Sequence, residues 1–285
     1  MTEHVRADTE ALVIRGADGA GASGVVVGAA TDVGRLRTVN EDGYLAIAPA
    51  FVVVDGMGGH AAGRMATQVA LDSLYSLAGT TVTGVETVVR SVMAAQEAIV
   101  AIPSHAAYLP GATIAGVVLA WMEDEQGIAR PTWIIFNIGD ARVYLLRDDM
   151  LSQVTRDHSR VQILIETGEL TPEQARRDPR RNVVTRALGG GIADSAVPDL
   201  YSVPVAAGDR LLICSDGLSD ELDDEAIATV LAAGYTAQRT AELLVAASLE
   251  GGGHDNTTAV VVDSAETPAL APAVVPGDAS TQEVL

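Results

Sequence analysis

The sequence predicts an α+β fold, with two largely antiparallel β-sheets packed together and helices on the outside. Three observations lead there. Strand-like segments come in runs of two or three, and helical segments come in pairs. That order does not fit a regular βαβ alternation. Links between successive strands are short, whereas a parallel pair needs a longer crossover.

Taken in order, SGVVVGAAT, GYLAIA and FVVVD read as three strands, expected to be antiparallel neighbours. Residues 60–79 and 84–102 carry apolar residues at three- and four-residue spacing, so each reads as a helix. ATIAGVVLAWM, TWIIFNIG and ARVYLLRD follow as strands, and DDM reads as a hairpin turn into LSQVT. Helical character around 158–178 leads into an arginine-rich stretch. DLYSVPV and DRLLICS are strands, residues 223–250 read as two helices broken near Gly234, and TTAVVVD closes the domain. Residues 1–23 are weakly patterned, and 264–285 are rich in Ala, Pro and small polar residues. Both are expected to be flexible ends around one domain at 24–263.

Composition narrows the function. The chain of 285 residues is 48% hydrophobic, enough for a substantial core. Its formal charge of -20 argues against nonspecific nucleic-acid binding, which relies on Lys and Arg neutralising phosphates. No apolar run reaches the roughly 18 residues of a membrane helix. MTEHVRADTE lacks the basic and apolar regions of a secretory signal, and the single Cys214 excludes an intrachain disulfide framework. A cytoplasmic protein is expected.

FVVVDGMGGH and LLICSDGLSD pose the chemical question, because each apolar run stops at an aspartate followed by glycine. Asp55, Asp140, Asp216 and Asp255 all lie at ends of apolar strands. Singly, each is an ordinary turn former. Together they point to a cluster, and converging carboxylates repel unless a positive group sits between them. Hard Mg²⁺ or Mn²⁺ ions prefer oxygen ligands and keep several waters. Gly56 would let its carbonyl approach such an ion closely. Two ions sharing a carboxylate activate a bridging water, which is hydrolytic chemistry suited to phosphorus. TDVGRLRTVNEDGYL adds Arg37, a fork for a phosphate dianion, beside Glu41 and Asp42.

RTVNED, VVDGMGGHAAG, FNIGDARVYLLRD, TRDHS, NVVTRALG, LLICSDGLSDEL and GGGHDNTTAVVVD occur in an order that resembles the metal-dependent serine/threonine phosphatases of the protein phosphatase 2C type, notably the compact bacterial members. The resemblance runs from about residue 24 to residue 263. It implies a four-layer αββα sandwich, two mostly antiparallel sheets flanked by helix pairs. It also implies that Asp55 bridges two Mn²⁺ or Mg²⁺ ions, with the Gly56 carbonyl on one of them. Asp216 and Asp255 resemble further ligands, and Asp140 resembles a ligand of a third, weaker ion shared with Asp216. Arg37 resembles the phosphate-binding arginine, and Glu41 and Asp42 the holders of metal-bound waters.

The implied reaction is direct attack of a metal-bridging water or hydroxide on phosphoserine or phosphothreonine. The implied partners are phosphoproteins, among them a serine/threonine kinase and its targets, with the enzyme a monomer. The alternatives are a pseudophosphatase module that binds phosphoproteins, or a phosphatase of anti-sigma-antagonist proteins.

Two positions depart from the family pattern. Met57 stands where some eukaryotic relatives carry a histidine proposed as general acid, and Gly111-Ala112-Thr113 replaces the usual Gly-Thr-Thr. The stretch 156–186 resembles the flap beside the active site in bacterial members. Its Arg176, Arg177, Arg180 and Arg181 are expected to receive the phosphorylated segment. GAGASG matches a dinucleotide fingerprint in form only, since a valine run follows it. Cys214 lacks the activating surroundings of a nucleophile and is expected in the core.

Overall fold

The computed structural model describes residues 12–15, 24–103, 109–192 and 197–264. One sheet orders β1 (Leu12–Arg15), β3 (Asp42–Ile47), β4 (Ala50–Met57), β5 (Gly111–Glu123), β6 (Ala129–Ile138) and β10 (Asp199–Pro204), with the short β9 (Leu188–Gly189) paired to β5. The second orders β2 (Val25–Asp32), β12 (Thr257–Ser264), β11 (Arg210–Cys214), β7 (Arg142–Arg147) and β8 (Met150–Gln153). Among these named pairings β1–β3 is parallel and the rest are antiparallel.

Side chains alternate along a strand, so one apolar run feeds two cores. On β4, Val52 and Val54 join Leu71 and Leu74 of α1 (His60–Leu74) and Val88 and Val92 of α2 (Val85–Val100). Phe51 and Val53 turn the other way and meet Val143, Ile213 and Val260 of the opposite sheet. A third layer packs Leu212 and Val261 under Ile227 and Leu231 of α6 (Asp224–Leu231) and Leu244 of α7 (Ala237–Gly251). Helix–sheet–sheet–helix is therefore the layer order. Between the sheets, the fully buried Trp133 gives its indole N–H to Asp209 Oδ2 at 2.8 Å, and Arg147 pairs the same carboxylate at 2.6 Å.

The DDM hairpin is present between β7 and β8, with Asp148 and Asp149 at φ 52° and 60°. Two left-handed central residues suit the twist of a tight hairpin, and Asp tolerates that region.

Three features differ from the sequence reading. β2 is not a neighbour of β3; it crosses to the second sheet and pairs β12 from Thr257↔Asp32 to Ser264↔Val25. Leu12–Arg15, placed in the N-terminal flexible segment, forms an edge strand on β3. β9 and α5 (Asp216–Ser219) were not anticipated, being too short to show a period. The outer edge of β2 is covered at Ala29 by a side chain. Gln238 of α7 accepts from Ala29 N at 3.2 Å and donates to Ala29 O at 3.0 Å.

Candidate active site

Strand parity brings the predicted aspartates together. Asp55 follows Phe51 and Val53 on the sandwich-facing side of β4, and Asp42 of β3 lies directly opposite it. From the other sheet, Ser215 follows Leu211 and Ile213 on the facing side of β11, just before Asp216 opens α5. Asp42 spans the gap: its Oδ2 accepts from Ser215 Oγ at 2.8 Å and from Thr258 Oγ1 at 2.7 Å. Its Oδ1 is buried with no donor, and its carboxylate neighbour is Asp55.

Each carboxylate lies in the field of the others. Burial raises Asp55 well above the usual carboxylate range, and Asp42, Asp216, Asp255 and Asp140 raise it further. Asp216 is raised likewise, by burial first and then by Asp140, Asp220, Asp255 and Asp42. Burial takes Asp140 up to about 7, with Asp157 adding to it. Asp42 rises to about 6 by burial, which the bonds from Thr258 and Ser215 partly offset. Arg37 stands at the mouth, its Nη2 2.6 Å from Asp255 Oδ2. Glu41 is buried alongside, its carbonyl accepting from Gly56 N at 3.2 Å and Thr67 Oγ1 at 2.6 Å.

These residues fit hard divalent cations. Crowded buried carboxylates are oxygen donors that need positive charge, and Asp42 Oδ1 is left without a partner. The nearby Arg142 is committed to Asp157, at 2.6 Å. Among the described residues, no three acidic, His or Cys side chains close to the spacing of one metal site.

The glycines after Asp55 and Asp216 have a structural reason. A Cβ on Gly56 would sit 2.4 Å from Gly63 O and 2.5 Å from Thr67 Oγ1 of α1. A Cβ on Gly217 would sit 2.0 Å from Asn256 O. In both cases neighbouring backbone packs where a side chain would be, so only glycine fits beside the aspartate.

Sequence reasoning missed several participants. Asp220, at the C-terminal end of the short helix that Asp216 opens, raises Asp216 and Asp140 by its charge; the spacing in DGLSD was the available signal. Ser215, Thr258 and Asn256 were read only as motif members. His158 is buried and held neutral by desolvation, and its Nδ1 accepts from Gly139 N at 3.0 Å in the turn before Asp140.

The flap arginines do not act as one group. Arg176 Nη2 donates to Leu222 O at 2.9 Å and Ser219 O at 3.1 Å. Arg180 forks Asp178 at 2.8 Å, and Arg181 faces Asp220 at 3.7 Å. Arg176 is thus tied to backbone carbonyls at and just after α5, whereas Arg180 and Arg181 pair with acids and stay about half exposed, as Arg37 does. Arg177 is exposed. Cys214 is buried, and its thiol is pushed up to about 12 by burial, as suits a core residue.

A β-sandwich between helix layers, with aspartates gathered where strands of both sheets end, is the class of protein that fold and site define. The chain belongs to the protein phosphatase 2C family, whose model matches residues 35–251. It is 38% identical over 240 residues to the serine/threonine protein phosphatase PstP of Mycobacterium tuberculosis, covering 82% of this chain and 44% of that protein. The chain thus spans under half the length of that relative. It is 34% identical over 244 residues to the serine/threonine phosphatase stp of Listeria monocytogenes, covering 82% of this chain and 93% of that one. The crystal structure of the PstP catalytic domain in complex with two manganese ions superposes with a TM-score of 0.73 at 35% identity, covering 85% of this chain and 98% of that one. A second PstP structure gives 0.75 at 36% identity, covering 85% and 99%.

Proposed function

We propose that the protein is a metal-dependent serine/threonine phosphoprotein phosphatase. The observation that carries this reading is the mutual crowding of Asp42, Asp55, Asp140, Asp216 and Asp255 at one end of the sandwich, with Arg37 at its mouth. In this reading Asp55, the Gly56 carbonyl, Asp216 and Asp255 hold two ions, Mn²⁺ or Mg²⁺, and Asp140 with Asp216 holds a third, weaker one. Bound ions supply charge neutralisation and water activation at phosphorus. Arg37 orients the phosphate dianion by a forked pair of hydrogen bonds. Asp42 fixes the distance between the sheets under the ions through Ser215 and Thr258, and Glu41 with Asp42 orders water. Family relatives support the assignment of phosphoserine and phosphothreonine proteins as substrates. A kinase of the same specificity, or its targets, is the partner class. The phosphatase unit is residues 24–263, acting as a cytoplasmic monomer.

The test is release of phosphate from a phosphothreonine peptide with Mn²⁺, with Mg²⁺ and with EDTA, beside Asp55→Asn. Turnover that needs metal and vanishes in the variant is expected. Folded protein that binds the phosphopeptide without turning it over under either metal would replace the enzyme with a binding module.

A further inference from the structure

We infer that Asn256 is a positioning residue whose side chain clamps shut the loop carrying Arg37; this rests on the reading that Arg37 binds the substrate phosphate. The link 33–41 leaves β2 in one sheet and enters β3 in the other, and residues 35–38 at its tip are exposed. Apolar burial therefore does not hold the tip in place. Asn256 closes its base. Nδ2 donates to Val33 O at 2.9 Å and to Val39 O at 3.0 Å, one on each side of the tip. Oδ1 accepts from Glu41 N at 2.8 Å.

An asparagine amide offers two N–H donors and a carbonyl oxygen, and here both ends are used. Two carbonyl oxygens face the nitrogen and an N–H faces the oxygen, so the flipped amide would lose all three bonds. The residue is 5% exposed, so none of these bonds is readily exchanged for water.

The clamp is itself anchored to the carboxylate cluster. Asn256 N donates to Asp255 Oδ1 at 2.8 Å, and Asn256 O packs against Gly217 beside Asp216. One residue therefore orders Asp255 through its backbone and the Arg37 loop through its side chain. A second seam runs alongside, with Arg35 N donating to Gly253 O at 2.7 Å and Arg35 Nε to Leu249 O at 3.1 Å. Without the amide, the loop base opens and Arg37 loses its fixed position relative to Asp255. Misplacement by about 1 Å is enough to weaken a positioned contact by one to two orders of magnitude.

The experiment is a double-mutant cycle on the full chain loaded with Mn²⁺, using Asn256→Ala and Arg37→Ala. It reads the inhibition constant of inorganic phosphate together with KM and kcat for a phosphothreonine peptide. The expected result is a phosphate inhibition constant raised about tenfold in each single variant, KM rising more than kcat falls, and a double variant no worse than Arg37→Ala alone. A general packing role would not produce that non-additivity. Additive effects, or an unchanged constant in Asn256→Ala beside an impaired Arg37→Ala, overturn the clamp and leave the Arg37 reading standing. An unchanged constant in Arg37→Ala overturns the Arg37 reading itself. If Asn256→Ala does not fold, Asn256→Asp enters the same cycle, since it keeps an acceptor for Glu41 N–H and loses both donors.

Discussion

Arg37 and Asp255 pair at 2.6 Å across the mouth of a site in which Asp42 and Asp140 are buried and Asp55 and Asp216 partly so. The pair is itself partly exposed, and exposed ion pairs contribute little to stability. Arg37→Ala is therefore expected to change folding stability by less than about 1 kcal/mol while impairing phosphopeptide hydrolysis. Chemical denaturation beside steady-state kinetics checks this. A large loss of stability would make Arg37 a structural residue.

Asp55 sits among four other aspartates, each of which adds to the effect of burial in raising it. Asp55→Asn keeps the shape and removes the charge. Metal-dependent turnover is expected to fall by about three orders of magnitude or more, with the fold intact by circular dichroism. Activity within tenfold of wild type would remove Asp55 from the metal site.

The buried aspartates link stability to pH. An unfolded Asp loses its proton near its ordinary value of 3.8, whereas folded Asp42 and Asp140 hold theirs to about 6 and about 7. Between those limits the folded state binds more protons, so raising the pH disfavours it. The contribution is complete below about pH 4 and is lost as pH passes through 6 and 7. Melting of the metal-free protein is expected to move to lower temperature from pH 5 to pH 7.5. Saturating Mn²⁺, which favours the ionised carboxylates, is expected to flatten or reverse that slope. Parallel slopes with and without Mn²⁺ would contradict the ion placement.

Gly56 and Gly63 meet back to back where β4 passes α1. A methyl on Gly56 would have to displace backbone as well as Thr67. Gly56→Ala is expected to lower stability by about 2–4 kcal/mol, in the range of overpacked or strained cores. Denaturant midpoints with an unchanged slope would measure it. A neutral substitution would mean that α1 shifts freely.

Much of this was legible in the sequence. The continuous apolar runs FVVV and LLICS, each closed by an aspartate and a glycine, announced strands that deliver carboxylates to one edge, and the structure brings those aspartates together. What was hidden depends on contacts distant in sequence. β2 looks like a partner for β3 because the link is short, yet its ladder is with β12, more than 200 residues on. Asp42 looked like part of an acidic pair near Arg37. Its bonds to Ser215 and Thr258 exist only once the two sheets face each other. The flap arginines look alike in the sequence, and only the folded backbone shows Arg176 spent on carbonyls near α5.

Gln238 has a consequence for the molecule at high concentration. Its amide occupies Ala29's outward N–H and C=O as a neighbouring strand would. On the other sheet Leu12–Arg15 covers β3 and becomes the edge strand itself. An open strand is a template on which further chains add, and here a side chain blocks that addition at one point along β2. Addition of a further strand to β2 is thus opposed at Ala29 by a hydrogen-bonding pair that is already taken.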